Sequence, residues 1–159
     1  MGQKRTFLVF KPVAKAEHIR FEKDMLFTTP KQFKEVITDY VVHGGWGIRF
    51  VKNDLQRVRA VCKENYKFVA WLTKLPREKS YQLRTLNLEH TCYRSYKNPW
   101  CTFSYIGKKL MKKVRRQPNM KLKDIQDVVH EKFTLNISVG KASRAREKAR
   151  EYVDGAYTE

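Results

Sequence analysis

The hydrophobic period of this chain changes twice, and those two changes limit the fold more than any other feature. Over TPKQFKEVITDYVVHGGW (29–46), Phe33, Val36, Ile37, Tyr40 and Val41 recur at helical spacing and share one face. Thr29 can cap this helix, Pro30 suits its first position, Gln32 stands at the capping-box spacing, and Gly44-Gly45 ends it. From 47 to 89 the period falls to two, the spacing of strands. Ile48 and Phe50 alternate with Arg49; after a turn at Asn53-Asp54, Val58, Ala60 and Cys62 alternate with Arg57, Arg59 and Val61. FVAWLT (68–73) and YQLRTLNL (81–88), joined by KLPREKS, read as two more strands. Past Pro99 helical spacing returns in three blocks: Phe103, Ile106, Leu110 and Val114; Leu122, Ile125, Val128 and Val129; then Ala142, Ala145, Ala149 and Val153, capped by Ser138. The expected fold is therefore α+β. An N-terminal helix covers a four-stranded antiparallel meander, and a small three-helix, helix-turn-helix-like unit follows. The boundaries are an extended lead-in (1–20), a β-domain (21–95) and a basic helical unit (96–159).

The chain has 159 residues, enough for one ordinary domain or two small ones and too few for a large multidomain enzyme. Its 34 Lys and Arg against 16 Asp and Glu leave a formal charge of +18, which points to a polyanionic partner, nucleic acid ahead of acidic membrane. Aromatic residues at 13% argue for a folded chain rather than a disordered basic tail. There is no apolar run of membrane-spanning length and no signal-peptide pattern, so the expectation is a soluble intracellular protein with no membrane partner. Met1-Gly2-Gln3-Lys4-Arg5-Thr6 fits the permissive myristoylation template, which keeps a lipid-anchored basic protein open as an alternative.

Three cysteines, Cys62, Cys92 and Cys101, make an odd count that argues against a secreted disulfide framework. Cys62 ends one strand and His90-Thr91-Cys92 follows another, so Cys62, His90 and Cys92 form three-quarters of a zinc ligand set. The cysteine expected soon after Cys62 is absent from KENYK. The competing reading makes Cys62 and Cys92 half-buried thiols.

Taken in order, F-x-x-x-M-x-F from Phe21, a helix, IRFVKNDLQRVRAVC (48–62), FVAW, RTLNLEHTC (84–92) and KASRAREKA (141–149) resemble the N-terminal DNA-binding region of plant Mutator-like (MuDR) transposases. The resemblance runs over residues 21–157. It implies a zinc-stabilised, WRKY-like sheet with a Cys, Cys, His, Cys ligand pattern. Cys62, His90 and Cys92 match three of those positions, and the fourth falls at Tyr66 or, in the longer-spaced variant, Lys67, neither a normal zinc ligand. Three outcomes stand: zinc on three protein ligands plus water, with Cys101 as a possible recruit; a sheet that folds without metal; or a decayed element copy. The resemblance further implies a nuclear protein that recognises the terminal inverted repeats of a transposable element, with double-stranded DNA, a homo-oligomer or the full-length transposase as partners.

The strand before Cys62 is the groove-facing one in that family, which nominates Arg49, Lys52, Asn53, Arg57 and Arg59 for DNA contact. Ordinary solvated side chains on an open sheet face are the alternative. In the last helix Lys141, Arg144, Arg146 and Lys148 are a second candidate surface, weakened by Glu147 and Glu151, which can pair with Arg144 and Lys148. KKLMKKVRR (108–116) suits nuclear import, phosphate binding or simple solvation. Catalysis is not expected. Strand cutting needs a carboxylate cluster on a catalytic domain that this chain does not include, and His18, His43 and His130 have no evident Ser, Cys or Asp partner. The alternative to a DNA-binding module is a degenerate remnant that keeps the fold as a protein-interaction module.

Overall fold

A computed structural model describes residues 6–62, 67–89 and 100–155. Gly2, Tyr66, His90 and Cys92 lie outside the described residues. The chain divides into two compact units, Met1–Arg94 and Ser95–Glu159.

In the first unit α1 spans Pro30–Gly44. The Thr29 hydroxyl accepts from the Gln32 backbone N–H at 3.0 Å, while the Gln32 side chain accepts from the Thr28 N–H at 2.9 Å. The reciprocal bond of the capping box thus lands one residue earlier than its usual position. Gly45 ends the helix at φ 76°, a left-handed conformation that favours glycine, and Trp46 N–H closes onto the Val41 carbonyl at 3.0 Å.

The sheet has five antiparallel strands, not the four expected: β1 (Leu26–Phe27), β2 (Ile48–Asn53), β3 (Arg57–Cys62), β4 (Val69–Lys74) and β5 (Tyr81–Asn87), in the order β1-β5-β4-β3-β2. The added strand is two residues long, too short to display any period, and it pairs Leu26 with Gln82 and Phe27 with Tyr81. The segment before it joins the fold as well. Phe10 N–H donates to the Leu26 carbonyl at 2.8 Å, and Phe10 stacks on Phe27, whose ring meets Phe33 of α1 edge-on. Phe10, Ile19, Phe21, Met25 and Phe27 are all buried.

One sheet face carries the core. Val58, Ala60, Cys62, Ala70, Leu72 and Leu83 are fully buried, as are Phe33, Ile37, Val41 and Val42 of α1. Burying each large side chain contributes roughly 1.5–3 kcal/mol. Alternate residues fall on the opposite face, where only part of the surface is covered.

The second unit contains α2 (Phe103–Arg116), α3 (Leu122–Phe133) and α4 (Val139–Gly155). Thr102 caps α2 and Ser138 caps α4 through the Lys141 N–H, each at about 3 Å. The α2 and α4 backbones meet at Gly107: a Cβ there would lie 2.8 Å from the Lys148 Cβ and 3.0 Å from the Ala145 carbonyl oxygen. Ala142, Ala145 and Ala149 complete this small-residue seam, with Ile106, Leu110, Val114, Ile125 and Val129 around it. Among the described residues no helix is long and apolar enough to cross a membrane.

Candidate nucleic-acid interface

The four longer strands contain Arg49, Lys52, Arg57, Arg59, Lys74 and Arg84 and no carboxylate. Register distributes these cations between the faces. Lys52 pairs with Arg59 and Arg59 with Trp71, so these three side chains form a row across β2, β3 and β4 on the face away from the core. Arg49 pairs with Val61 and Arg57 with Thr73, which sets both on that same face. Lys52, Arg49 and Arg57 are exposed.

A bulge between Phe50 and Lys52 makes this arrangement. Without it, strict alternation from Arg49 would turn Lys52 toward the core and Asn53 outward. With it, Lys52 joins Arg59. Asn53 pairs with buried Val58 on the helix side, where its Oδ1 accepts from Lys34 Nζ of α1 at 2.9 Å. Asn53 is thus separated from the four cations with which the sequence grouped it.

Arg59 lies over the Trp71 ring, 5.1 Å from its centroid, a contact worth roughly 0.5–1 kcal/mol that holds the guanidinium in place. Arg59 Nε and Trp71 Nε1 are enclosed and have no hydrogen-bond partner. Both are donors only, and an enclosed unpaired donor costs about 1–3 kcal/mol. Trp71 was missed in the sequence. Its signal was a large aromatic on the outward side of FVAWLT, level with a strand arginine.

The β2–β3 hairpin tip is pinned. Asp54 Oδ1 accepts from the Gln56 and Arg57 N–H groups at 2.8 and 2.7 Å, and these bonds hold its carboxyl below the usual carboxylate range. Tyr81 Oη donates to the Leu55 carbonyl at 2.9 Å, and Lys74 N–H donates to the Gln56 carbonyl. Arg57 approaches the Asp54 carboxylate only to 4.0 Å.

Cys62 is fully buried at the end of β3, on the core side beside its partner Ile48. The register Val61, Val69, Asn87 brings the end of β3, the start of β4 and the end of β5 to one sheet edge. There Lys67 Nζ meets Glu89 at 3.3 Å as an exposed ion pair. Lys67 is therefore engaged with a carboxylate partner. Among the described residues no group of three His, Cys, Asp or Glu side chains could hold a metal, and His90 and Cys92 fall outside them. Cys101 belongs to the second unit, 1% exposed, with burial pushing its thiol up to about 11 despite nearby Lys141.

In α4 the candidate cations divide. Lys148 pairs with Glu151 at 3.1 Å, and Glu147 pairs with Arg150, not Arg144, at 2.7 Å. Arg146 donates to the Met120 carbonyl and Arg150 to the Pro118 carbonyl, tying the α2–α3 turn to α4. Arg144 is exposed, and Lys141 is half-buried. Of the histidines, His130 contacts Asn136 at 2.9 Å, His18 stands 3.6 Å from Glu17, and His43 is exposed on the last turn of α1.

No family model, curated protein or solved structure matches the chain.

Proposed function

We propose that the chain is a double-stranded DNA-binding module of transposon origin that meets the duplex with the outward, cation-bearing face of its sheet. The observation carrying this reading is the Lys52, Arg59, Trp71 row flanked by Arg57 and Arg49. An antiparallel ribbon can enter the major groove with alternate side chains directed to it. Lys52, at the edge strand, would neutralise phosphate; Arg57 and Arg59 have the bidentate fork that reads guanine. Arg59 is pre-ordered by Trp71, so little rotamer freedom is lost on contact. Asn53, engaged by Lys34, is assigned to hairpin structure instead of adenine reading.

The motif order resembling Mutator-like transposases supports terminal inverted repeats as the target, a nuclear location and a WRKY-like ancestry for the sheet. Zinc, if bound, would be held by Cys62, His90 and Cys92, and would supply folding free energy at the edge where β3 and β5 end. In this reading, the chain binds without catalysing strand transfer.

The test is fluorescence anisotropy with duplex DNA across a salt series. Affinity should fall steeply with salt, and Arg57→Ala or Arg59→Ala should flatten sequence preference. Salt-insensitive binding, or none at low salt, sinks the reading. A protein-interaction remnant is the second reading, favoured by exposed Leu8, Val9 and Val13 in the N-terminal segment. Tyr66→Cys separates the two. Gain of zinc together with gain of DNA affinity would mark the present chain as a damaged DNA binder.

A further inference from the structure

We infer that the backbone edge at Leu8–Phe10 is a docking site for an extended acidic peptide of a partner protein, which adds to the sheet as a further strand. This goes beyond DNA binding, since none of the cations on the outward sheet face takes part in it.

The segment is bonded on one side only. Leu26 N–H donates to the Leu8 carbonyl and Phe10 N–H to the Leu26 carbonyl, both at 2.8 Å, in a parallel bridge centred on Val9. Alternation along an extended chain then turns the Val9 N–H and C=O away from β1. Among the described residues neither group has a partner. Phe10, buried and stacked on Phe27, fixes this edge to the core.

The side chains agree with the backbone. Leu8, Val9 and Val13 are 54%, 49% and 42% exposed, and all three lie in this one short stretch. A lone exposed apolar residue is ordinary, whereas a cluster of them on an unpaired edge is a template for another strand. The other edge of the sheet is guarded: β2 is bulged between Phe50 and Lys52 and bears Arg49 and Lys52, devices that discourage pairing. Within Leu8–Phe10 there is neither bulge nor charge. Lys11-Pro12 ends the stretch, which limits an added strand to a few residues.

Charge selects the occupant. Residues 6–16 include Lys11 and Lys15, both exposed, and no carboxylate. A second copy would bring the same lysines, and its own charge of +18, against this edge. A peptide alternating apolar residues with carboxylates satisfies the Val9 groups, covers exposed apolar surface and meets the lysines with opposite charge.

The probes are two capped seven-residue peptides, one alternating Glu and Val and one alternating Lys and Val. Each is titrated against the full chain in about 0.15 M salt, where attraction between exposed charges is screened beyond roughly 8 Å. The acidic peptide should bind, the basic one should not, and hydrogen exchange should show the Val9 amide newly protected. Val9→Pro removes the outward N–H without touching either bond to Leu26, and should weaken acidic-peptide binding by about tenfold or more. Lys11→Glu/Lys15→Glu should erase the preference between the peptides, and it decides the matter with the exchange result should Val9→Pro lower the unfolding midpoint. No binding of the acidic peptide, binding without Val9 protection, or a preference that survives the lysine variant overturns the proposal. So does Val9 protection that rises with protein concentration alone, which would make a second copy the occupant. The DNA reading is tested separately: Val9→Pro should leave duplex affinity within about twofold, and Lys52→Ala/Arg59→Ala should leave Val9 protection by the peptide unchanged.

Discussion

The β2–β3 hairpin and helix α4 look alike in sequence, since each sets basic residues at regular intervals among small or apolar ones. Folded, they use that charge differently. The hairpin keeps Lys52, Arg57 and Arg59 on one face, and Asp54 at its tip is occupied by two backbone N–H groups. Helix α4 directs Arg146 and Arg150 to loop carbonyls and pairs Lys148 and Arg150 with glutamates. Basic composition does not locate a binding surface. What decides is whether a carboxylate or an orphan carbonyl lies within reach of each cation, because that partner competes with phosphate for the same charge.

The sharpest break of this comparison is a double dissociation. Lys52→Ala/Arg59→Ala should weaken specific DNA binding by about 2–4 kcal/mol, roughly 30- to 1000-fold, with little change in unfolding free energy. Arg150→Ala should do the opposite. It removes donors to Pro118 and Asn119 and the Glu147 pair, lowering stability by about 1.5–3 kcal/mol while DNA affinity stays within roughly twofold. Should Arg150→Ala weaken DNA binding more than the hairpin variant does, in anisotropy on folded protein, the assignment of roles is reversed. A third variant asks whether α4 is structural through its seam. Gly107→Val would force the α2 and α4 backbones apart and should destabilise the helical unit by about 1–3 kcal/mol in denaturant unfolding. An unchanged midpoint would show that the seam relaxes freely.

Local chemistry was the legible part. The caps at Thr29 and Ser138, the stop at Gly45 and the face of each helix depend on residues within a turn or two, and a single chain carries all of that. Strand β1 was illegible, because two residues cannot express a period and its existence depends on the free edge of β5. The bulge at Val51 was hidden for a different reason. IRFVKN reads as uninterrupted alternation, and only pairing with β3 reveals that one residue is left over, reassigning Lys52 and Asn53 to opposite faces. Trp71 was missed because its importance comes from a neighbour on another element, Arg59 across the ladder. The zinc question stays where the sequence put it, in the ligand set Cys62, His90 and Cys92, except that Lys67 is now seen engaged with Glu89.

Asp54 offers the smallest and most exact sharpening, since among the described residues it is the carboxylate that approaches a hairpin cation, and it has two jobs to separate. As a turn former it accepts from Gln56 and Arg57; as a counter-ion it shields Arg57 at 4.0 Å. Its folded-state carboxyl titrates below the ordinary 3.8, mainly through the Gln56 and Arg57 backbone bonds. The sign follows: its contribution to the turn is present above pH 3.8 and is lost as pH falls through the lower folded value. Asp54→Asn retains an acceptor for the turn while removing the charge. If turn formation is its job, the Asn variant should keep the hairpin amides protected from exchange, lose the acid sensitivity at Arg57 N–H, and bind DNA slightly more tightly because Arg57 is unshielded. Asp54→Ala should lose that protection and bind more weakly. If Asn weakens binding as much as Ala, the ion pair positions Arg57, and the hairpin resembles α4 more closely than the present contrast allows.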